Sequence, residues 1–175
     1  MLAIEELGNR ICIIGCSSSG KSTLGTQLSR KLNIAITHLD LLAHHHDSQW
    51  KRKPDSELID AHNKIIQQKN WIIEGNYSIC MQHRIENATA VIWLDFHVLT
   101  SAARYLKRCM FANEHRPGNL PGSEKQFAFW LLKHILFTYP QKRPSYQTII
   151  DSAQAPAIRI TSMKALQQAK RYWQL

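Results

Sequence analysis

The chain has 175 residues, 44% hydrophobic and 20% charged. That is one domain's worth of sequence with enough apolar residues for a core, which excludes a disordered or fibrous protein. Its 22 basic residues outnumber 13 acidic ones, giving net +9, and the excess is local: residues 1–100 balance at 10 and 10, residues 101–143 carry 8 basic and 2 acidic, and residues 144–175 carry 4 and 1. A basic second half calls for nucleotide phosphates, nucleic acid or an acidic membrane surface. Composition alone leaves a solvated basic helix face equally open.

The four cysteines, Cys12, Cys16, Cys80 and Cys109, form no CxxC pair and point to reduced thiols in a cytoplasm. The opening MLAIEELGNR lacks the apolar core of a signal peptide. The longest apolar run, Phe127 to Phe137, is interrupted by Lys133 and His134. It falls short of the ~20 residues that span a bilayer, so it reads as a buried helix and no membrane is expected.

Ile11 to Ile14 reads as a β-branched strand, followed by GCSSSG and by Leu24, Leu28 and Leu32 at helical spacing. Ile34 to His38 is a second strand, ending at Leu39-Asp40. A polar loop with Trp50 leads to Pro54, which opens a helix with the stripe Leu58, Ile59, His62, Ile65 and Ile66. Trp71 to Ile73 is a third strand, ending at Glu74-Gly75. Ala90 to Leu94 is a fourth, ending at Asp95. Leu99, Ala102, Ala103, Leu106 and Met110 form a helical stripe, and RPGNLPG (116–122) is a loop. Phe127 to Phe137 is helical, and Tyr139-Pro140 and Arg143-Pro144 break the chain. Ala157 to Ile160 is the last strand and Met163 to Trp173 the closing helix. Alternating strands and helices predict an α/β domain over residues 1–175, a parallel sheet covered on both faces. Ligands of such sheets bind beyond the carboxyl ends of the strands, where Asp40, Glu74 and Asp95 collect.

Gly15 to Ser22 reads G-C-S-S-S-G-K-S, a full match to GxxxxGK[ST] between a strand and a helix. Gly15 and Gly20 let the backbone curl, so that the N–H groups of Cys16, Ser17, Ser18 and Ser19 face phosphate oxygens. The helix start adds its positive end. Lys21 places a charge on the β/γ-phosphates, Ser22 is the expected Mg²⁺ ligand and Thr23 adds a phosphate contact. The pattern predicts ATP-type triphosphate binding with Mg²⁺. The second metal acid is Glu74, Asp95 or Asp40. No N-K-x-D guanine reader occurs, which argues against a GTPase. A small kinase fits the length, and such enzymes need a basic lid. Residues 104–143 have the right sign, with Arg104, Arg108, Arg116 and Arg143 as candidates. Arg104 and Arg108 are four apart, on one helix face.

The runs IIGCSSSGKSTL, THLD (37–40), NWIIEGNY (70–77), VIWLD (91–95) and QKRP (141–144) resemble the DNA topology modulation proteins, within the adenylate-kinase-like P-loop kinases. The resemblance implies a five-stranded parallel sheet of order 2-3-1-4-5. That order sets the third strand beside the first and favours Glu74 as the metal acid. It also implies an acceptor site from about residue 40 to 86, built from Asp40, Trp50, Asn76, Tyr77 and Arg84. Asp40 would orient an acceptor hydroxyl and Arg84 would hold an acceptor anion.

The function expected is transfer of the ATP γ-phosphoryl group to a nucleoside, nucleotide or small metabolite. The alternative is a regulatory ATP-binding protein that modulates DNA topology. No nucleic-acid-binding signature occurs, and a nucleic-acid partner is not favoured. His44-His45-His46 read as a solvated loop in preference to a metal site, and Cys16 as a backbone spacer in preference to a reactive thiol.

Overall fold

Strand β1 (Arg10–Gly15) is apolar at nearly every position because it runs through the middle of the molecule. The computed structural model describes residues 1–45, 51–110 and 129–175. After β1 come α1 (Lys21–Leu32), β2 (Ile36–His38), α2 (Leu39–Ala43), α3 (Asp55–Ile66), β3 (Trp71–Glu74), α4 (Ser78–Glu86), β4 (Ala90–Leu94) and α5 (Val98–Met110). Then follow α6 (Phe129–Lys133), a π-helical turn (His134–Thr138), α7 (Tyr139–Asp151), β5 (Ala157–Ile160) and α8 (Met163–Tyr172).

The five strands pair in the order β2-β3-β1-β4-β5, every pair parallel. Side chains alternate along each strand, so one sheet feeds two cores. Cys12, Ile14, Ile73, Val91 and Trp93 meet Leu58, Met81, Ile85, Tyr139 and Ile150 on one face. Ile11, Ile13, Ile72, Ile92 and Leu94 meet Leu24, Leu28, Leu166, Ala169 and Trp173 on the other. The strand order is the one implied by the sequence resemblance.

Three expectations are corrected. The polar stretch after β2 begins as a short helix, α2, which carries no full apolar stripe because it buries only part of one face. The segment after β3, to which the sequence assigned no element, folds as α4. The Tyr139-Pro140 and Arg143-Pro144 breaks are absent, and α7 runs through both prolines. Pro140 lies in its first turn, where a missing N–H costs least, and Tyr139 N–H reaches back five residues to His134 O. The helix read as buried presents Phe129, Trp130 and Phe137 to the surface, and Ile135 alone among its large residues is fully enclosed. Phe127 and the 116–122 loop lie outside the described residues. No helix among the described residues is long and apolar enough to cross a membrane.

His62 on α3 is fully buried, its Nδ1 donating to Asn63 Oδ1 while Nε2 has no partner. Burial, with the charges of Arg84 and His83 adding, pulls its pKa from 6.5 down to about 4. The unfolded chain therefore binds this proton at a higher pH than the folded one. The His62 contribution is whole above pH 6.5 and is lost as pH falls towards 4, by about 3 kcal/mol. Urea melts stepped from pH 7 to 4 should show that loss, and His62→Leu should flatten the slope. An equally steep slope in His62→Leu would assign the acid sensitivity to another group.

Candidate active site

The loop Gly15–Ser22 joins the end of β1 to α1, and its shape follows from two glycines. Gly15 has φ +147°, and a Cβ there would stand 2.5 Å from the Leu94 carbonyl oxygen of β4. Only glycine lets β4 approach so closely. Gly20, at φ +102°, starts α1 with no side-chain cap, leaving the first helical N–H groups open to an anion. Ser18 Oγ and Ser19 Oγ are buried without hydrogen-bond partners. This cradle of uncommitted donors fits a polyphosphate.

The acid on β3 completes the cradle. Glu74 pairs in register with Ile13 of β1 and His38 of β2. Its carboxylate Oε1 accepts from Ser22 Oγ at 3.0 Å and from His38 Nδ1 at 2.8 Å. Burial alone would raise the Glu74 pKa. The His38 hydrogen bond, the charges of Lys21 and His38 and the Ser22 hydrogen bond outweigh it and hold the carboxyl ionised, below its usual range. Lys21 Nζ folds back to the Cys16 carbonyl at 3.0 Å. Hydroxyl and carboxylate oxygens are hard donors suited to Mg²⁺, which needs few protein ligands when phosphates supply the rest. Ser22 and Glu74 are the pair that fits it. His38 joins them unannounced by any motif, although it heads the HLD run.

The other two acids have different partners. Asp40, in the first turn of α2, accepts from Tyr77 Oη at 2.9 Å and is exposed. Burial, the Asp40 charge and the Asp40 hydrogen bond push the Tyr77 hydroxyl well above its ordinary pKa. Arg52 lies over the Tyr77 ring at 5.9 Å. Asp95, beyond β4, is saturated by Arg143 and Arg159. Nε of Arg143 lies 2.8 Å from Oδ1, and Nε of Arg159 lies 2.8 Å from Oδ2. Asp95 is therefore unavailable as the metal acid in this arrangement.

The expected acceptor and lid residues divide. Asn76 Oδ1 accepts from the Gly15 N–H at 3.0 Å, supporting the first turn of the phosphate loop. Arg84 does not face an acceptor. It is fully buried, with Nη2 donating to Gly75 O at 2.8 Å and Asn76 O at 3.1 Å, and Nε to Cys12 Sγ at 3.2 Å. An arginine without exposed surface cannot hold a solvent-delivered anion, so Arg84 instead ties α4 to the turn after β3. Arg104 reaches the loop, donating to Ser18 O at 2.8 Å. Arg108 stacks over the Tyr105 ring at 5.1 Å. Arg143 is paired with Asp95. Trp50, His46 and Arg116, with residues 111–128 of the expected lid, lie outside the described residues. His44 Nδ1 meets its own helix's Asp40 O at 2.8 Å, and no three-residue metal cluster occurs among the described residues. Burial, against a smaller opposing pull from Lys21, raises the Cys16 pKa and keeps it a thiol.

Three further residues approach the site. His134 of the π-turn feels the charge of Lys21, Lys170 of α8 feels that of Arg104, and Arg159 shares Asp95. Single charged residues within apolar patterns, as in AIRI, are the only sequence trace of them.

No family model matches the sequence, and no curated protein matches it. Solved structures do match. A shikimate kinase from Bacteroides thetaiotaomicron superposes with a TM-score of 0.58 at 16% identity, covering 95% of this chain and 99% of that one. The fold is that of the small P-loop kinases. A shikimate kinase from Acinetobacter baumannii in complex with shikimate gives 0.57 at 15% identity, over 97% and 93%. A gluconokinase from Sinorhizobium meliloti 1021 gives 0.51 at 14%, over 96% and 90%. At these identities the likeness concerns the P-loop kinase fold alone, and the link to DNA topology modulation proteins rests on the sequence runs.

Arg84→Met should destabilise the fold by about 3 kcal/mol, because two turn carbonyls lose a charged donor in a buried site. Urea denaturation measures this. An unchanged midpoint would mean that the Arg84 hydrogen bonds do not hold this turn in place.

Proposed function

We propose that this chain transfers the γ-phosphoryl group of ATP to a hydroxyl or phosphate of a small acceptor. The observation that carries the reading is the hydrogen bond from Ser22 to an ionised Glu74 at the mouth of a phosphate loop. A strand-end acid that only terminated a turn would have no reason to meet that hydroxyl.

The backbone amides of Cys16, Ser17 and Ser18 and the start of α1 would bind the phosphates, joined by Thr23, while the Ser19 N–H is held by the Cys16 carbonyl at 3.2 Å. Lys21 would leave the Cys16 carbonyl for a β/γ oxygen, exchanging a neutral acceptor for an anionic one. Ser22 and Glu74 would hold Mg²⁺, which when bound neutralises charge on the phosphate oxygens. His38 keeps the Glu74 carboxylate turned towards Ser22. Arg104, anchored on the loop carbonyl of Ser18, stands on the side of the cradle facing α5. An open cleft of 490 Å³ lined by Leu99, Thr100, Ala103, Arg104, Lys107 and Met163 adjoins it. Its apolar floor and cationic rim suit a nucleobase and its phosphates.

Asp40 would orient the acceptor hydroxyl and take its proton, with Tyr77 fixing the carboxylate. Acceptor classes consistent with this are nucleosides, nucleotides and polyhydroxylated metabolites. Shikimate, in the Acinetobacter structure, is of the last class.

The test is an acceptor panel with ATP and Mg²⁺, read as ADP release and as product mass. Turnover should rise with one small acceptor, fall about 100-fold or more in Lys21→Ala, and stop on magnesium chelation. In Asp40→Asn, kcat should fall far more than ATP affinity changes. ADP release stimulated by DNA and by no small acceptor would replace this reading with a regulatory ATPase. Full turnover in Lys21→Ala would remove the phosphate-loop mechanism.

A further inference from the structure

Asp95 stands one residue beyond Leu94, whose register partner on β1 is Gly15, the first residue of the phosphate loop. Its side chain is 1% exposed and takes every donor at hand. From Arg143 it accepts Nε on Oδ1 at 2.8 Å and Nη2 on Oδ2 at 2.7 Å. From Arg159 it accepts Nε at 2.8 Å on Oδ2, with Nη2 at ion-pair distance, 2.6 Å, from the same oxygen. Both arginines also lie over the Trp93 ring, at 6.0 and 4.7 Å. Their side chains are 49% and 44% exposed. One buried carboxylate thus holds two half-exposed guanidiniums, one more cation than it needs.

The two arginines differ in what carries them. Arg159 projects from β5, in register with Trp93 at the sheet edge. Arg143 projects from α7, whose Tyr139 shares a buried cluster with Cys16 of the phosphate loop. Tyr139, one turn earlier, feels both Asp95 and Cys16, and His134, before it, feels Lys21. A buried carboxylate with a single arginine cannot release it without leaving an unpaired buried charge, which is strongly unfavourable. With two arginines, one can depart while the other keeps the acid paired. The surplus cation is what makes departure cheap.

We propose that Arg143 exchanges the Asp95 carboxylate for a phosphate oxygen of bound ATP, and that Arg159 is the positioning residue that keeps Asp95 paired during the exchange. The inference rests on the kinase reading above. It also gives the basic C-terminal stretch a purpose, since Arg159 never touches the nucleotide and yet sets how tightly Arg143 is retained. No bond is made or broken in the exchange.

Calorimetric titration of the full chain with ATP and Mg²⁺ tests it, with a thermal melt of each variant alongside. Arg159→Leu should weaken ATP binding about tenfold, because Arg143 is then held alone by a buried acid. Arg159→Lys should bind nearly as the unaltered protein does, since a lysine still pairs Asp95. The double variant Asp95→Asn, Arg159→Leu should recover the affinity, since no carboxylate remains to retain Arg143. Unaltered affinity in Arg159→Leu would overturn the proposal. So would a double variant as weak as Arg159→Leu, which would mean that Arg159 meets ATP directly or only supports the fold. Failure of the unaltered protein to bind ATP would overturn the kinase reading itself, and this inference with it.

Discussion

The hydrogen bond between Ser22 and Glu74 joins the phosphate loop to the neighbouring strand, and the site's geometry depends on it. It exists because β3 pairs with β1 in a register that sets Glu74 opposite Ile13, just short of the loop. The same register, extended to β2, brings His38 to the same carboxylate oxygen. Neither contact is local in sequence, since Ser22 and Glu74 are 52 residues apart. A slip of one residue would turn Glu74 to the opposite face of the sheet and leave Ser22 without an acid.

β1 lies between two strands that both end in buried acids, and the two acids have opposite surroundings. Glu74 meets one hydroxyl and one imidazole, keeping an ionised oxygen at the mouth of the loop. Asp95 meets two guanidiniums and keeps nothing. Burial would push both carboxyls towards neutrality, and specific donors hold both below their usual pKa. The sheet thus presents an acid with one carboxylate oxygen outside these hydrogen bonds on one side of the Gly15–Ser22 loop, and an arginine-holding acid on the other.

The turn after β3 is the other fixed point. Arg84 binds the carbonyls of Gly75 and Asn76 from below, Asn76 supports the Gly15 amide, and Tyr77 reaches out to Asp40. Tyr77 pays for this with a left-handed backbone, φ +28°, which bulky residues adopt only when their surroundings compel it. Packing in the buried half of this turn therefore sets the orientation of its exposed half.

The sequence by itself determined the parallel α/β class, the five strands and the phosphate loop, because these depend on local signals: β-branched runs, helical stripes and GxxxxGKS. It narrowed the metal acid to three carboxylates, but it could not choose among them by spacing. Tertiary structure distinguished them by strand register, giving Ser22 to Glu74, Tyr77 to Asp40 and two arginines to Asp95. It also turned Arg84 inward, where the sequence placed it at a ligand, because an arginine in a short helix reads alike whether it faces water or buried carbonyls. His38, Arg159, Lys170 and His134 gain meaning only from neighbours far along the chain. A charged side chain's partner is a property of three-dimensional proximity, and no periodicity encodes it.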